Sequence, residues 1–244
     1  MAIPMVPVRR IRWKTATRIV ASRYPPINLY ERVTSDPAVW DALIAAEMLV
    51  NPRLRDEIGE LHLVPVAERV SGPGATWVMA AFTHRNPAGS RFSDGSYGVY
   101  YAGDDLATAV AETAYHFARI ATDSADAPRY EAMRVLVGRI DAKLHDLAGV
   151  AESVRAPLLD PDSYAASQPF AAALRSEGSN GLHYPSVRHP AGRCIAAFRP
   201  TLVEVPQQAR HLGFDWDGTR VRRYFDYGEN AWVSLDGPSY PDSA

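Results

Sequence analysis

The sequence predicts one α+β domain, in which a sheet built from strands far apart in the chain is flanked by helices. Two observations carry this. Of the 244 residues, 47% are hydrophobic and 22% charged, enough apolar material for a sizeable core. Short β-branched or aromatic runs at 76–82, 98–102, 130–140 and 194–198 are separated by helical periodicity and by turns, so the sheet draws on distant sequence.

In chain order, Arg9, Arg10, Arg12, Lys14, Arg18 and Arg23 precede the first acid, Glu31. Residues 1–21 therefore read as a basic N-terminal arm, either solvated or turned toward a phosphate, an anionic substrate or an acidic partner. Residues 28–33 read as a first strand. Thr34-Ser35-Asp36-Pro37 then offers an N-cap carboxylate followed by proline at the first helical position. The helix it opens carries Val39, Trp40, Leu43, Ile44 and Leu49 at helical spacing and stops at Asn51-Pro52. After the turn Ser71-Gly72-Pro73-Gly74, residues 76–82 read as an apolar strand, and the loop 83–90 delivers Arg91.

Residues 98–102 form a strand with Val99 and Tyr101 on one face and Tyr100 on the other. Asp104 caps the helix that follows. Its buried stripe is Leu106, Ala109, Val110, Ala114, Phe117 and Ile120, which leaves Asp105, Thr108, Glu112, His116 and Arg119 together on the opposite side. Strands centred on Val135-Leu136-Val137 and at 194–198 follow, with 201–205 extending or following the latter. The Asp-, Ser- and Pro-rich segments 123–128 and 156–170 read as surface insertions. Trp216-Asp217-Gly218-Thr219 between 211–214 and 220–225 is the pattern of a β-hairpin with an Asp-Gly turn.

Several function classes lose support on composition and motifs. A net charge of -2 argues against a protein that coats DNA, since counterion release needs a dense cationic face. No uncharged apolar run approaches the roughly 20 residues that span a bilayer, and the single cysteine, Cys194, allows no intrachain disulfide. A cytoplasmic protein is the expectation. The seven histidines form no HExxH pair or Cys/His cluster, so no metal site is expected. Neither a Gly-x-Gly-x-x-Gly turn nor a Gly-Lys-Ser/Thr phosphate loop is present, and Ser186 does not sit in a Gly-x-Ser-x-Gly elbow. That serine either donates a hydrogen bond to a ligand amide or caps a turn.

Arg91, Tyr101 and Glu112 stand ten and eleven residues apart on a loop, a strand and a helix. A cation can pair bidentately with a pyrophosphate, an aromatic ring can stack on a flat base, and a carboxylate can hold a ribose hydroxyl. Spacing alone equally allows a surface arginine, a core tyrosine and a solvated glutamate. His116, one turn after Glu112, either supports the carboxylate or a ligand, or is a hydrogen-bonded structural residue.

With these residues in place, the chain resembles the RES-domain toxin family, in the manner of its longer, ParT-like members. Arg91-Phe92 is similar to the family's Gly-Arg-Trp/Phe segment, Tyr101-Ala102 to its Tyr-x-Ala strand, Ala111-Glu112 to the end of its helix motif, and Tyr184-Pro185-Ser186-Val187-Arg188 to its serine segment. Residues 22–33, which end on Arg32 and Val33, and Phe198-Arg199-Pro200 also fit. One departure is Ser90-Arg91-Phe92-Ser93 in place of the common Gly-Gly-Arg-Trp-Asn.

The resemblance implies a RES domain over 22–227 with a C-terminal tail at 228–244, and a fold similar to diphtheria-type ADP-ribosyltransferase toxins, with a largely antiparallel split sheet. It also implies NAD as co-substrate without a metal, and an Xre-like antitoxin that blocks the NAD cleft and makes the assembly oligomeric. Glu112, Arg91 and Tyr101 are then the expected catalytic residues, with Ser186, Arg32 and His116 completing the contacts to NAD. The expected reaction cleaves the nicotinamide–ribose bond and transfers ADP-ribose to a protein target. The alternatives are an NAD glycohydrolase, an NAD phosphorylase and, from another class, a non-catalytic binding module.

Overall fold

The computed structural model describes residues 4–24, 34, 36–48 and 59–235. The expected strand at 28–33, the helix stop at Asn51-Pro52 and the candidate Arg32 lie outside them. The remainder forms a mixed α/β domain of eight strands and, among the described residues, five α-helices.

The strands are β1 (Val8–Ala21), β2 (Tyr100–Gly103), β3 (Arg129–Asp146), β4 (Gly181–Pro185), β5 (Arg193–Ala197), β6 (Gln207–Trp216), β7 (Val221–Asp226) and β8 (Ala231–Ser234). They run β1-β2-β5-β4-β3-β6-β7-β8, antiparallel throughout except for β3 with β4. β1 also pairs along β3, from Val8↔His145 to Ala21↔Met133, so β1, β2, β5, β4 and β3 close on themselves. The free edge of β3 is shared, its first half by β6 and its end by β4. This division splits the sheet.

β1 replaces the expected basic arm. Alternation was the signal: Arg10, Arg12 and Lys14 point to solvent, while Ile11 and Trp13 pack on the core. The cations find acids on the neighbouring strand, Arg10 with Asp141 at 2.5 Å and Arg9 with Asp146 at 3.3 Å. β1 meets β2 at one pair only, Thr17↔Gly103. Beyond it, the Arg18 guanidinium donates to the Tyr101 carbonyl at 3.1 Å, doing for β2 what a backbone N–H would do in a continued ladder.

The helices are α1 (Trp40–Met48), α2 (Ala75–Thr83), α3 (Leu106–Asp123), α4 (Glu152–Leu158) and α5 (Ser167–Ser176). Asp36 accepts from Ala38 N–H with Pro37 beside it, as the sequence predicts for the entry to α1. α2 corrects the strand expected at 76–82. A continuous apolar run does not distinguish a strand from a buried helix, and here Val78, Met79 and Phe82 are buried at helical spacing. The cap of α3 is Asp105, which accepts from Thr108 N–H at 2.7 Å, whereas Asp104 accepts from Arg193 N–H at 3.0 Å. Ile120, expected in the buried stripe, is 58% exposed, and Ala118 and Ala121 take its place in the core. Pro200–Leu202 is a 3-10 turn, after which Val203 bridges to Ile140. The Asp217-Gly218 hairpin between β6 and β7 forms as expected.

Three apolar clusters hold these layers. The closed strands and α1 and α2 share the first, with Tyr100, Ala102, Ile195 and Phe82. The opposite face of β2, β4 and β5 packs on α4 and α5 through Tyr184, Leu182, Leu158 and Phe170. α3 packs on β1, β3 and β6 through Val110, Phe117, Val135 and Phe214. Val99 and Tyr101 thus lie on one face of the second strand and Tyr100 on the other, as expected.

Gly98 leads into β2 against the backbone of α2, and a Cβ there would sit 2.3 Å from the Ala81 carbonyl oxygen. Gly98→Ala is expected to destabilise the fold by about 2–3 kcal/mol. Gly72→Ala, at φ +95 with nothing within 4 Å, has only backbone strain of about 1–2 kcal/mol. Urea denaturation of both variants checks the difference.

Candidate active site

The hydrogen bonds of the candidate site begin at Glu112, in the second turn of α3. Its Oε1 accepts from Ser186 Oγ at 2.6 Å, from Val187 N–H at 3.0 Å and from Arg188 N–H at 3.4 Å. Cys194 Sγ approaches the same oxygen at 3.8 Å. Among the described residues, none of these bonds goes to Oε2. Burial pushes the Cys194 thiol well above its ordinary value, and the neighbouring Glu112 pushes the same way, so the sulfur is a neutral donor beneath the carboxylate.

Of the two roles that its sequence position suggested, the structure shows the turn cap. Besides donating to Glu112, its oxygen accepts from Arg188 N–H at 3.2 Å and from His189 N–H at 2.9 Å, which closes the turn after β4. Thr108 and His189 join this turn to the start of α3 at 3.0 Å. That contact buries Thr108, which the helical periodicity placed on the outer face.

Tyr101 is held on β2 opposite Ala196, and the register puts Cys194 and Tyr184 on the same side of the sheet. Its hydroxyl shares a hydrogen bond with Ser90 Oγ at 2.8 Å and accepts from Phe92 N–H at 3.0 Å. These two residues bracket Arg91. Gln168 on α5 adds hydrogen bonds to the carbonyls of Ser90 and Ser93, both at 3.1 Å, and Ser93 Oγ donates to Tyr97 O at 2.6 Å. Ser90 and Ser93, the residues that depart from the family pattern, thus bond the arginine loop to its surroundings. Burial raises the Tyr101 phenol, which keeps it protonated as the shared partner of Ser90.

Arg91 is buried, 7% exposed. Its Nη1 donates to Asp160 O at 2.7 Å and to Leu158 O at 3.5 Å, and its guanidinium lies 4.9 Å from the centre of the Tyr164 ring. His116 is exposed on α3, next to the Tyr115 ring. Its ionisation is lowered, to about 4, by desolvation first, with Arg91, Arg119 and Arg188 adding to the effect and Glu112 opposing it. Tyr184 in turn feels both Glu112 and Arg91. The structure therefore brings Arg91, Tyr101, Glu112, Ser186 and His116 into one neighbourhood.

Four further residues belong to it. Arg188 lies 3.3 Å from the centre of the Tyr115 ring and donates to Pro161 O, and Arg119 donates to the Tyr164 hydroxyl at 3.3 Å. Arg119 was legible on the Glu112 face of α3, but its partner comes from the insertion at 156–170. A separate cavity of about 220 Å³, lined by Leu63, Phe82, Tyr97, Phe198 and Arg199 among others, holds none of the candidate residues.

Tyr101→Phe removes the group that holds Ser90 and Phe92. It is expected to lower stability by about 1–3 kcal/mol and to speed amide exchange at residues 90–93 in hydrogen-exchange mass spectrometry. For His116, a folded-state value below the unfolded one means that folding favours the neutral ring: this contribution is complete above about 6.5 and is lost as pH falls toward about 4. An NMR titration is expected to find His116 neutral at pH 6, and His116→Gln is expected to flatten the stability profile across that window.

A family model for the RES domain matches residues 66–217. An uncharacterized protein, y4oC of Sinorhizobium fredii (strain NBRC 101917 / NGR234), is 28% identical over 215 residues, covering 87% of this chain and 87% of that protein. Among solved structures, the M. tuberculosis MbcT-MbcA toxin-antitoxin complex aligns at 11% identity and a TM-score of 0.43, covering 85% of this chain and 87% of that one. The matched segment contains Arg91, Tyr101, Glu112 and Ser186 and more than half of the chain, and the chain belongs to the RES domain family.

Proposed function

We propose that this protein is a toxin that consumes NAD by breaking the bond between nicotinamide and ribose. The observation that carries the reading is Glu112, a carboxylate held through its Oε1 by Ser186, Val187 and Arg188. Cleavage of that bond develops oxocarbenium character on the ribose, as glycoside cleavage does on a sugar. A carboxylate already fixed in place stabilises such charge without reorganising during the reaction. Nicotinamide carries positive charge in NAD and leaves neutral, so the reaction needs no general acid and one carboxylate suffices. Arg91 pairs with the pyrophosphate and Tyr101 lies against the nicotinamide ring. His116 and Arg32 complete the contacts, and Ser186 acts through its hydrogen bond to Glu112.

The proposed acceptor of ADP-ribose is a protein side chain. Support comes from the segment 159–166, which is bound by Arg91 and Arg188 and offers a surface that water or phosphate does not need. Two residues before Glu112 stands Val110, 1% exposed. Many arginine-modifying ADP-ribosyltransferases place a second glutamate there, so an acceptor other than arginine is favoured. An Xre-like antitoxin that covers the cleft is the proposed partner, since free activity would deplete the NAD of the producing cell.

Purified protein incubated with NAD is expected to release nicotinamide, read by HPLC and mass spectrometry, and Glu112→Gln to lower the rate by about 10²–10³-fold. ADP-ribose bound to protein in a cell lysate supports transfer, free ADP-ribose indicates a glycohydrolase, and the 1''-phosphate in phosphate buffer indicates a phosphorylase. A folded, antitoxin-free protein that releases no nicotinamide in any of these conditions would overturn the NAD reading.

A further inference from the structure

Beside Glu112, five side chains form an alternating row of cations and rings. Arg188 lies 3.3 Å from the Tyr115 ring centre, Arg119 lies 5.9 Å from Tyr115 and 5.6 Å from Tyr164, and Arg91 lies 4.9 Å from Tyr164. The three arginines come from a loop, a helix and a turn, so their convergence is tertiary. Among the described residues, every guanidinium hydrogen bond they make goes to a neutral group. These are the carbonyls of Leu158, Asp160 and Pro161 and the hydroxyl of Tyr164.

All four of those partners belong to the end of α4 and the strap 159–166 that follows it. The strap is braced from within: the Asp160 carboxylate accepts from the N–H groups of Asp162 and Ser163, both at 2.8 Å, and is thereby turned toward its own loop. Tyr115 adds a bond from its hydroxyl to Pro161 O at 3.3 Å. Three cations whose hydrogen bonds go to carbonyl oxygens and a hydroxyl, with no ion pair to an acid among the described residues, keep their charge available for an anion with several oxygens. Guanidinium groups pair more strongly with phosphate oxygens than with neutral carbonyls, and do so bidentately.

We propose that Arg91, Arg119 and Arg188 form the binding site for the diphosphate of a dinucleotide, and that the carbonyls of Asp160 and Pro161 occupy the places of its phosphate oxygens until it binds. This rests on the reading of NAD as substrate and extends it in two respects. It adds Arg119 and Arg188 to the anion-binding set, and it makes the strap exchangeable. When the diphosphate enters, the guanidinium groups turn to it, the strap loses its hold on Arg91 and Arg188, and Tyr115 and Tyr164 continue to flank the cations.

The test uses the intact protein and ligands that it does not cleave, ADP-ribose and inorganic pyrophosphate. Calorimetry is expected to show both binding, and Arg119→Gln and Arg188→Gln each weakening both by about tenfold or more. Hydrogen exchange at residues 159–166 is expected to rise with either ligand bound. Wild-type affinity in both variants, exchange at the strap unchanged by bound ligand, or no binding of either ligand to the wild-type protein would each overturn the proposal. Circular dichroism establishes that the variants are folded, and if they are not, the exchange measurement on wild-type protein decides. The two readings separate cleanly. Ligand binding with strap release but no nicotinamide release leaves the diphosphate site standing and removes the NAD chemistry. Nicotinamide release with unchanged KM in both arginine variants does the reverse.

Discussion

The three hydrogen bonds that meet at Glu112 Oε1 connect parts of the chain that otherwise touch little. Glu112 stands on α3, which packs through its opposite face on β1, β3 and β6, whereas Ser186, Val187 and Arg188 stand on the turn between β4 and β5. From that turn the connection runs by sheet register to Tyr101 on β2, and by the Tyr101 hydroxyl to the backbone on either side of Arg91. A donor buried beside an absent partner costs about 1–3 kcal/mol. Each link therefore holds its neighbour, and the positions of cation, ring and carboxylate are set together.

Much of this was legible in the residues. Asp36-Pro37, the alternation of Tyr100 and Tyr101, the hydrophobic stripe of α3 apart from Ile120 and Thr108, and the Asp217-Gly218 turn are local signals, and each formed as its chemistry dictates. The misreadings have physical causes. Residues 76–82 lack polar punctuation because α2 is buried on much of its surface, which removes the periodicity that marks a helix. In β1 the run of arginines hid an alternation whose cations are matched by Asp141 and Asp146, more than a hundred residues away. Two adjacent acids, Asp104 and Asp105, are equivalent as caps until Arg193 arrives to claim one of them.

The site divides in the same way. The resemblance, rather than spacing, singled out Arg91, Tyr101 and Glu112 together, and it did not tell what holds them. Ser186 reaches Glu112 across 74 positions, and the partners of Arg91 come from a segment that read as a surface insertion. Arg188 ended the segment that resembles the serine motif, but its contacts were not legible there, because they depend on Tyr115 and on the carbonyl of Pro161. Contacts of this kind are properties of the closed fold, and a composition rich in Asp, Ser and Pro conceals them.

Electrostatic balance explains why a carboxylate and three cations can share this cleft. Glu112 is turned toward backbone N–H groups and a serine hydroxyl rather than toward an arginine side chain, so its charge is not spent in an ion pair. The arginines likewise contact the rings of Tyr115 and Tyr164 and the strap carbonyls rather than Glu112. Had Glu112 paired with Arg188, neither the anion nor the developing positive charge of a dinucleotide would find a free partner. Keeping opposite charges unpaired forgoes their mutual attraction, and it is the arrangement that the proposed substrate, with a negative diphosphate and a positive glycosidic end, requires.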